Sequence, residues 1–130
     1  YQFNENFVVA NTTLNTAGTT SSVNYLETTV SEFISRSNAD IVSWQTDSQG
    51  YTIIAAETES RQIALYFYES TSGELAGIHK LGYINPYTLS SMRVDNEGNL
   101  VILGTTYVSG RFKRVFLTKM SADDLQSIVN

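Results

Sequence analysis

The sequence predicts an all-β protein, an antiparallel meander of short strands written as a unit of 46–48 residues repeated nearly three times. Composition is the first reason. Eight Tyr, six Phe and one Trp stand among many Val, Ile and Thr, the residue types that suit a pleated, half-buried surface. Punctuation is the second: apolar runs last only a handful of residues and end in Asp, Asn, Ser and Gly. Recurrence is the third. Thr52-Ile53-Ile54-Ala55-Ala56-Glu57-Thr58 lies over Leu100-Val101-Ile102-Leu103-Gly104-Thr105-Thr106 at an offset of 48, and Asn6-Phe7-Val8-Val9-Ala10-Asn11-Thr12 lies over the middle run at 46.

The elements follow from these runs. In the first unit the run at 6–12 is followed by Tyr25-Leu26-Glu27 and then Glu32-Phe33. In the middle unit four strands are expected at about 41–46, 51–58, 63–70 and 74–82. Its second run, Phe67-Tyr68-Glu69, precedes Glu74-Leu75, as Leu117-Thr118-Lys119 precedes Asp124-Leu125 in the third unit. Ile41 to Asp47 lies over Leu89 to Asp95, again at 48. Asp47-Ser48-Gln49-Gly50 and Asp95-Asn96-Glu97-Gly98 read as hairpin turns, in which the Asp side chain holds the turn and Gly takes the positive-φ position. The runs Ile53–Ala56 and Val101–Leu103 are apolar on both faces, so each sheet is expected to be covered on both sides. The chain thus divides into a partial repeat at 1–40, a repeat at 41–88 and a partial repeat at 89–130.

With its aspartate–glycine turn, its apolar run closing in Gly-x-Thr and its strand "VFLTKM" ahead of an acidic residue and Leu, "DNEGNLVILGTT…GRFKRVFLTKMSADDL" resembles the blade repeats of β-propellers in secreted and surface-attached bacterial proteins. The resemblance covers 89–125 best, 41–75 well and 6–33 loosely. It implies propeller-like blades, yet closed propellers use roughly four to eight of them. Three resolutions are open: a fragment of a longer propeller, several copies closing a ring, or a two-sheet β-sandwich. The start at Tyr1, with no basic–apolar leader, fits a chain processed or cut from something longer.

A chain of 130 residues can bury one real core. Charged residues make up 16%, below the roughly 25% of ordinary domains, and Ser and Thr fill roughly a quarter of the positions. The net charge of −5 disfavours nucleic acid, whose phosphates call for a basic face. No apolar run is long enough for a transmembrane helix. Without cysteine there is no disulfide framework and no thiolate chemistry. The Ser, Thr, Asn and Tyr content and the shortage of Lys favour an extracellular, periplasmic or cell-surface location.

Candidate chemistry is sparse. His79 is the only histidine and has no second His or Cys with which to build a zinc site, so an ordinary strand position is the plainer reading. Glu57, Glu59 and Glu69 could converge as the paired carboxylates of a glycosidase. Asp95-Asn96-Glu97 lacks calcium-loop spacing and reads as a turn. Gly110 to Arg114 is the only basic cluster and suits a solvated, edge-protecting hairpin. The aromatics lead: Trp44, Tyr66, Tyr68, Tyr83 and Tyr87, with His79, are the candidate ligand-binding residues, set against the plainer reading that such rings pack the core. The expectation is a non-catalytic binding or scaffolding module that contacts a glycan, a peptide, a protein or other copies of itself through blade-end loops, with no catalytic residue, metal or cofactor assigned. The alternatives are the propeller portion of a secreted hydrolase or lyase, and a purely structural unit.

Overall fold

In the computed structural model, residues 6–10, 25–29, 38–82, 85–108 and 112–130 are described, the first two segments by their backbone alone. The protein is mostly β. β1 (Asn6–Ala10) pairs antiparallel with β2 (Tyr25–Thr29). β3 (Ala39–Gln45), β4 (Gly50–Glu57), β5 (Ile63–Glu69) and β6 (Leu75–Leu81) form a four-stranded antiparallel sheet in chain order. β7 (Tyr87–Val94), β8 (Leu100–Val108) and β9 (Phe112–Met120) form a three-stranded one, and α1 (Ala122–Val129) follows. The four strands expected in the middle unit are those of the four-stranded sheet, each within two residues at either end.

The two larger sheets share one core. Trp44, Ile53, Leu65 and Phe67 of the first meet Leu89, Met92, Leu100 and Ile102 of the second, and Leu125 of α1 completes the cluster. Ala39, Ile54, Ala56, Ala64, Tyr66 and Tyr68 bury the opposite face of the four-stranded sheet. Every residue from Ile63 to Tyr68 is therefore buried, odd positions on one face and even on the other. The four-stranded sheet is thus covered on both faces, as its two-faced apolar run implies. Among the described residues the three-stranded sheet is not: Leu103, Val115 and Leu117 on its outer face are exposed, although Val101–Leu103 is apolar on both faces.

The end of the third unit departs from expectation. Asp124-Leu125 does not open a fourth strand; it lies in α1. Ser121 caps that helix, accepting the Asp124 N–H while the Asp124 carboxylate accepts the Ser121 N–H, and Asp123 and Asp124 suit the helix N-terminus. The helix packs on β6, where Gly77 gives it room: a Cβ there would lie 2.4 Å from the Ile128 carbonyl oxygen.

The repeat register shifts as well. With β4 set on β8 at 48, strand pairing carries Leu65, the partner of Ala55, onto Leu117, the partner of Leu103, an offset of 52. Run-to-run matching in the sequence aligns Phe67 with Leu117 at 50 instead. Two residues make one pleat, so each side chain keeps its face. In the entering strands the offset is 50 at Ala39–Leu89 and 51 at Val42–Arg93, because the register of β7 slips between Leu89 and Ser91.

Candidate functional site

β4, β6 and β8 end, and β5, β7 and β9 begin, at the same end of the two sheets. The β4–β5 turn there is closed by its own side chains. Thr58 Oγ1 accepts the Gln62 N–H at 3.2 Å and lies 2.9 Å from Ser60 Oγ, while the Arg61 N–H donates to the Thr58 carbonyl at 2.9 Å. Arg61 sits at φ 61°, a left-handed conformation that strains a residue with a Cβ. Two bonds tie this turn to the β6–β7 connection: Gln62 Nε2 donates to the Gly82 carbonyl at 2.6 Å, and the Tyr87 N–H donates to the Arg61 carbonyl at 2.9 Å. Thr106 Oγ1 then donates to the Pro86 carbonyl at 2.9 Å and ties in β8.

Between these pieces lies a cleft of about 320 Å³, lined by Glu57, Thr58, Arg61, Pro86, Tyr87, Thr88 and Tyr107. That is the lower end of small-ligand pocket sizes. Pro86, Tyr87 and Tyr107 give it apolar walls. Tyr87 is fixed from behind by an edge-to-face contact with Phe116, centroids 4.8 Å apart, and by Gly82, where a Cβ would come within 2.7 Å of its ring. The hydroxyls of Thr88 and Thr105 are hydrogen-bonded beside it. Glu57 Oε1 accepts the Leu89 N–H at 3.0 Å. Arg61 is exposed, and its guanidinium has no hydrogen bond or ion pair among the described residues. The arrangement offers two aromatic surfaces, a fixed carboxylate and an available cation.

At the opposite end, a polar cleft of about 450 Å³ lies between the β3–β4 turn, Glu97-Gly98 and the start of α1. Its floor is structural: Trp44 Nε1 donates to the Gly98 carbonyl at 3.0 Å. Among the described residues no group of three or more His, Asp or Glu side chains is placed to hold a metal ion.

The chain matches no protein-family model, no curated protein and no solved structure.

Of the aromatic candidates, Tyr87 alone among the described residues lines the strand-end cleft. Trp44 is 2% exposed, stacked on Tyr51 at 5.4 Å and edge-on to Phe67 at 6.4 Å. Tyr66 and Tyr68 are buried on the other face of the sheet, stacked on each other at 6.4 Å. His79 is half-buried on β6, opposite Leu65. Tyr83 lies outside the described residues. The structure thus divides these rings among two cores, a strand and a cleft, and does not bring them to one surface. The acidic trio does not converge either. Glu57 ends β4 and Glu59 lies in the β4–β5 turn, whereas Glu69 is at the other end of β5 and accepts from Ser72 Oγ at 2.9 Å. In the basic cluster, Phe112, Lys113 and Arg114 are exposed on β9. The sequence alone does not single out Arg61 or Tyr107. The polar stretch Glu59-Ser60-Arg61-Gln62 between two apolar runs marked a turn, but which loops face each other is a tertiary fact.

Proposed function

We propose that the chain is a non-catalytic binding module of propeller-blade type that works outside a bacterial cell, its strand-end cleft taking a short segment of a peptide, glycan or protein partner. The observation that carries this reading is the pairing of the held Tyr87 ring with the available Arg61 guanidinium in one cleft. Rigid aromatic area with a cation beside it suits a ligand with a ring or apolar face next to a carboxylate or hydroxyl. The blade assignment is supported by the four-stranded meander and by its face-to-face stacking on the next sheet. The location is supported by composition alone.

A catalytic reading has less support. Glycoside hydrolysis needs two carboxyl groups facing each other, and Glu57 is the one acid among the described residues lining the cleft. The test is a peptide and glycan array probed with the chain and with Arg61→Ala and Tyr107→Ser, both checked for native circular dichroism. Signals lost in both variants would support the cleft; signals kept in both would rule it out as the site.

A further inference from the structure

The outward face of the β7–β9 sheet carries apolar side chains in water. Leu103 is 37% exposed, Leu117 69% and Val115 74%. Strand pairing places these three on one face, since Leu103 is opposite Leu117 and Thr105 is opposite Val115. In the four-stranded sheet the same positions are Ala55, Leu65 and Ile63, each 0% exposed, and there they form the seat on which the β7–β9 sheet rests. The third unit therefore repeats the surface that holds a following sheet, and among the described residues nothing is seated on it.

The rest of the face has been altered in a consistent direction. Asp40 and Glu57 clasp the following sheet in the middle unit; the pairing registers put Ser91 and Thr105 at their places in the third. A hydroxyl can accept the same backbone N–H without the cost of removing a carboxylate from water. Phe67 is replaced by Lys119, and Lys113 stands at the other end of the face. The face is thus apolar in the middle with cations at its ends, on a chain whose net charge is −5. The segment following β9 does not cover it, because α1 turns back onto β6.

We infer that this face is the docking surface for a second copy of the chain, which would sit head to tail as the next sheet in the stack. A copy supplies both required properties: a sheet of the same repeat type and an excess of carboxylates to meet Lys113, since Lys119 is already 3.3 Å from Asp95 of its own chain. The sheet to be seated is β1–β2 of the second copy, whose run at 6–12 repeats the runs of β4 and β8. Such a contact is heterologous, the kind that closes a ring or continues as a filament.

Light scattering on a sizing column, across a dilution series, tests the inference. The wild-type chain should have a mass that is a multiple of its own, and Leu117→Lys should weaken self-association by about 30-fold or more, as loss of a central contact does. Ile78→Lys, at a 46% exposed position on the other sheet, should leave the mass unchanged. A wild-type chain that is monomeric throughout, a Leu117→Lys mass equal to wild type, or equal dissociation by Ile78→Lys would overturn it. So would a gain in mass that needs a different protein. Should Leu117→Lys fail to fold, Val115→Cys supplies a second readout in a chain without other thiols. Protection of that thiol from maleimide at high concentration, released on dilution, is the expected result; equal reactivity at all concentrations overturns the proposal.

Discussion

Asp40 Oδ2 accepts the backbone N–H of Met92 at 2.8 Å, joining the first strand of one sheet to the first strand of the next. Its other oxygen accepts the Ile41 N–H at 2.9 Å, and the carboxylate is nearly buried. Among the described strands β7 pairs with β8 alone, so its other edge would leave donors unanswered at the seam. Asp40 answers one of them and Glu57 another, at Leu89. Asn38 Nδ2 donates to the Leu89 carbonyl at 3.3 Å. Arg93, 3.4 Å from Asp40 and largely in solvent, adds little.

Removing this clasp should separate the sheets more easily. Asp40→Ala is expected to lower stability by about 2–3 kcal/mol, the range for a charge-assisted hydrogen bond lost from a buried donor. Asp40→Asn, which keeps one accepting oxygen, should cost less. Urea unfolding followed by far-ultraviolet circular dichroism measures both, and equal midpoints for wild type and Asp40→Ala would show the clasp to be energetically idle.

Two glycines should be intolerant for different reasons. A Cβ at Gly104 would lie 2.0 Å from the Thr88 carbonyl oxygen and 2.7 Å from the Phe116 ring, inside a paired sheet that cannot yield. At Gly77 the obstacle is the Ile128 backbone, and α1 could lift away. Gly104→Ala should therefore cost about 3 kcal/mol, the upper part of the overpacking range, and Gly77→Ala about 1 kcal/mol with partial loss of helix signal. The reverse order in thermal unfolding would contradict this.

The β7–β8 turn should confer an acid limb on stability. Hydrogen bonds from the Asn99 side chain and the backbone N–H groups of Asn99 and Glu97, together with Lys119 at 3.3 Å, hold the Asp95 carboxyl well below its ordinary 3.8. A depressed folded-state value means that the contribution is fully present above 3.8 and is lost as pH falls through the folded value. Asp124, lowered by Ser121, acts in the same direction. The melting temperature should fall as pH drops below about 4, and less steeply in Asp95→Asn; parallel acid limbs would exclude Asp95 as a contributor.

Trp44 makes the seam visible without labelling. As the only tryptophan, buried and hydrogen-bonded across the two sheets to Gly98, it should emit at short wavelength and resist acrylamide quenching until the sheets part. Emission typical of water in the native protein would be inconsistent with this packing.

What the sequence shows of this fold is local. The strands of the middle unit are legible because their runs are bounded by Asp47–Gly50, Glu59–Gln62 and Ser70–Glu74, and a run's bounds are a property of the chain itself. The face a residue takes is less legible where both faces are apolar: nothing in "IALYFY" separates the rings of Tyr66 and Tyr68, turned from the Trp44 core, from Phe67 within it. The Ser90 irregularity in β7 and the clasp of Asp40 depend on how two sheets meet, which no spacing records. The helix start is marked by the capping-box spacing of Ser121 and Asp124, but the repeat pattern, which sets Asp124-Leu125 over Glu74-Leu75, points to a strand in its place.

Burial of β5 on both sides makes its sheet a party wall. Neither neighbour can be removed without wetting an apolar surface, so the chain cannot be shortened or recombined at an arbitrary point. Changes of length belong in the turns, where Asp47-Ser48 and Thr71-Ser72 are exposed. Duplications have to copy a whole sheet together with the face that receives it. A lineage built this way would grow by units of about 48 residues, while single-residue variation gathers at the strand ends.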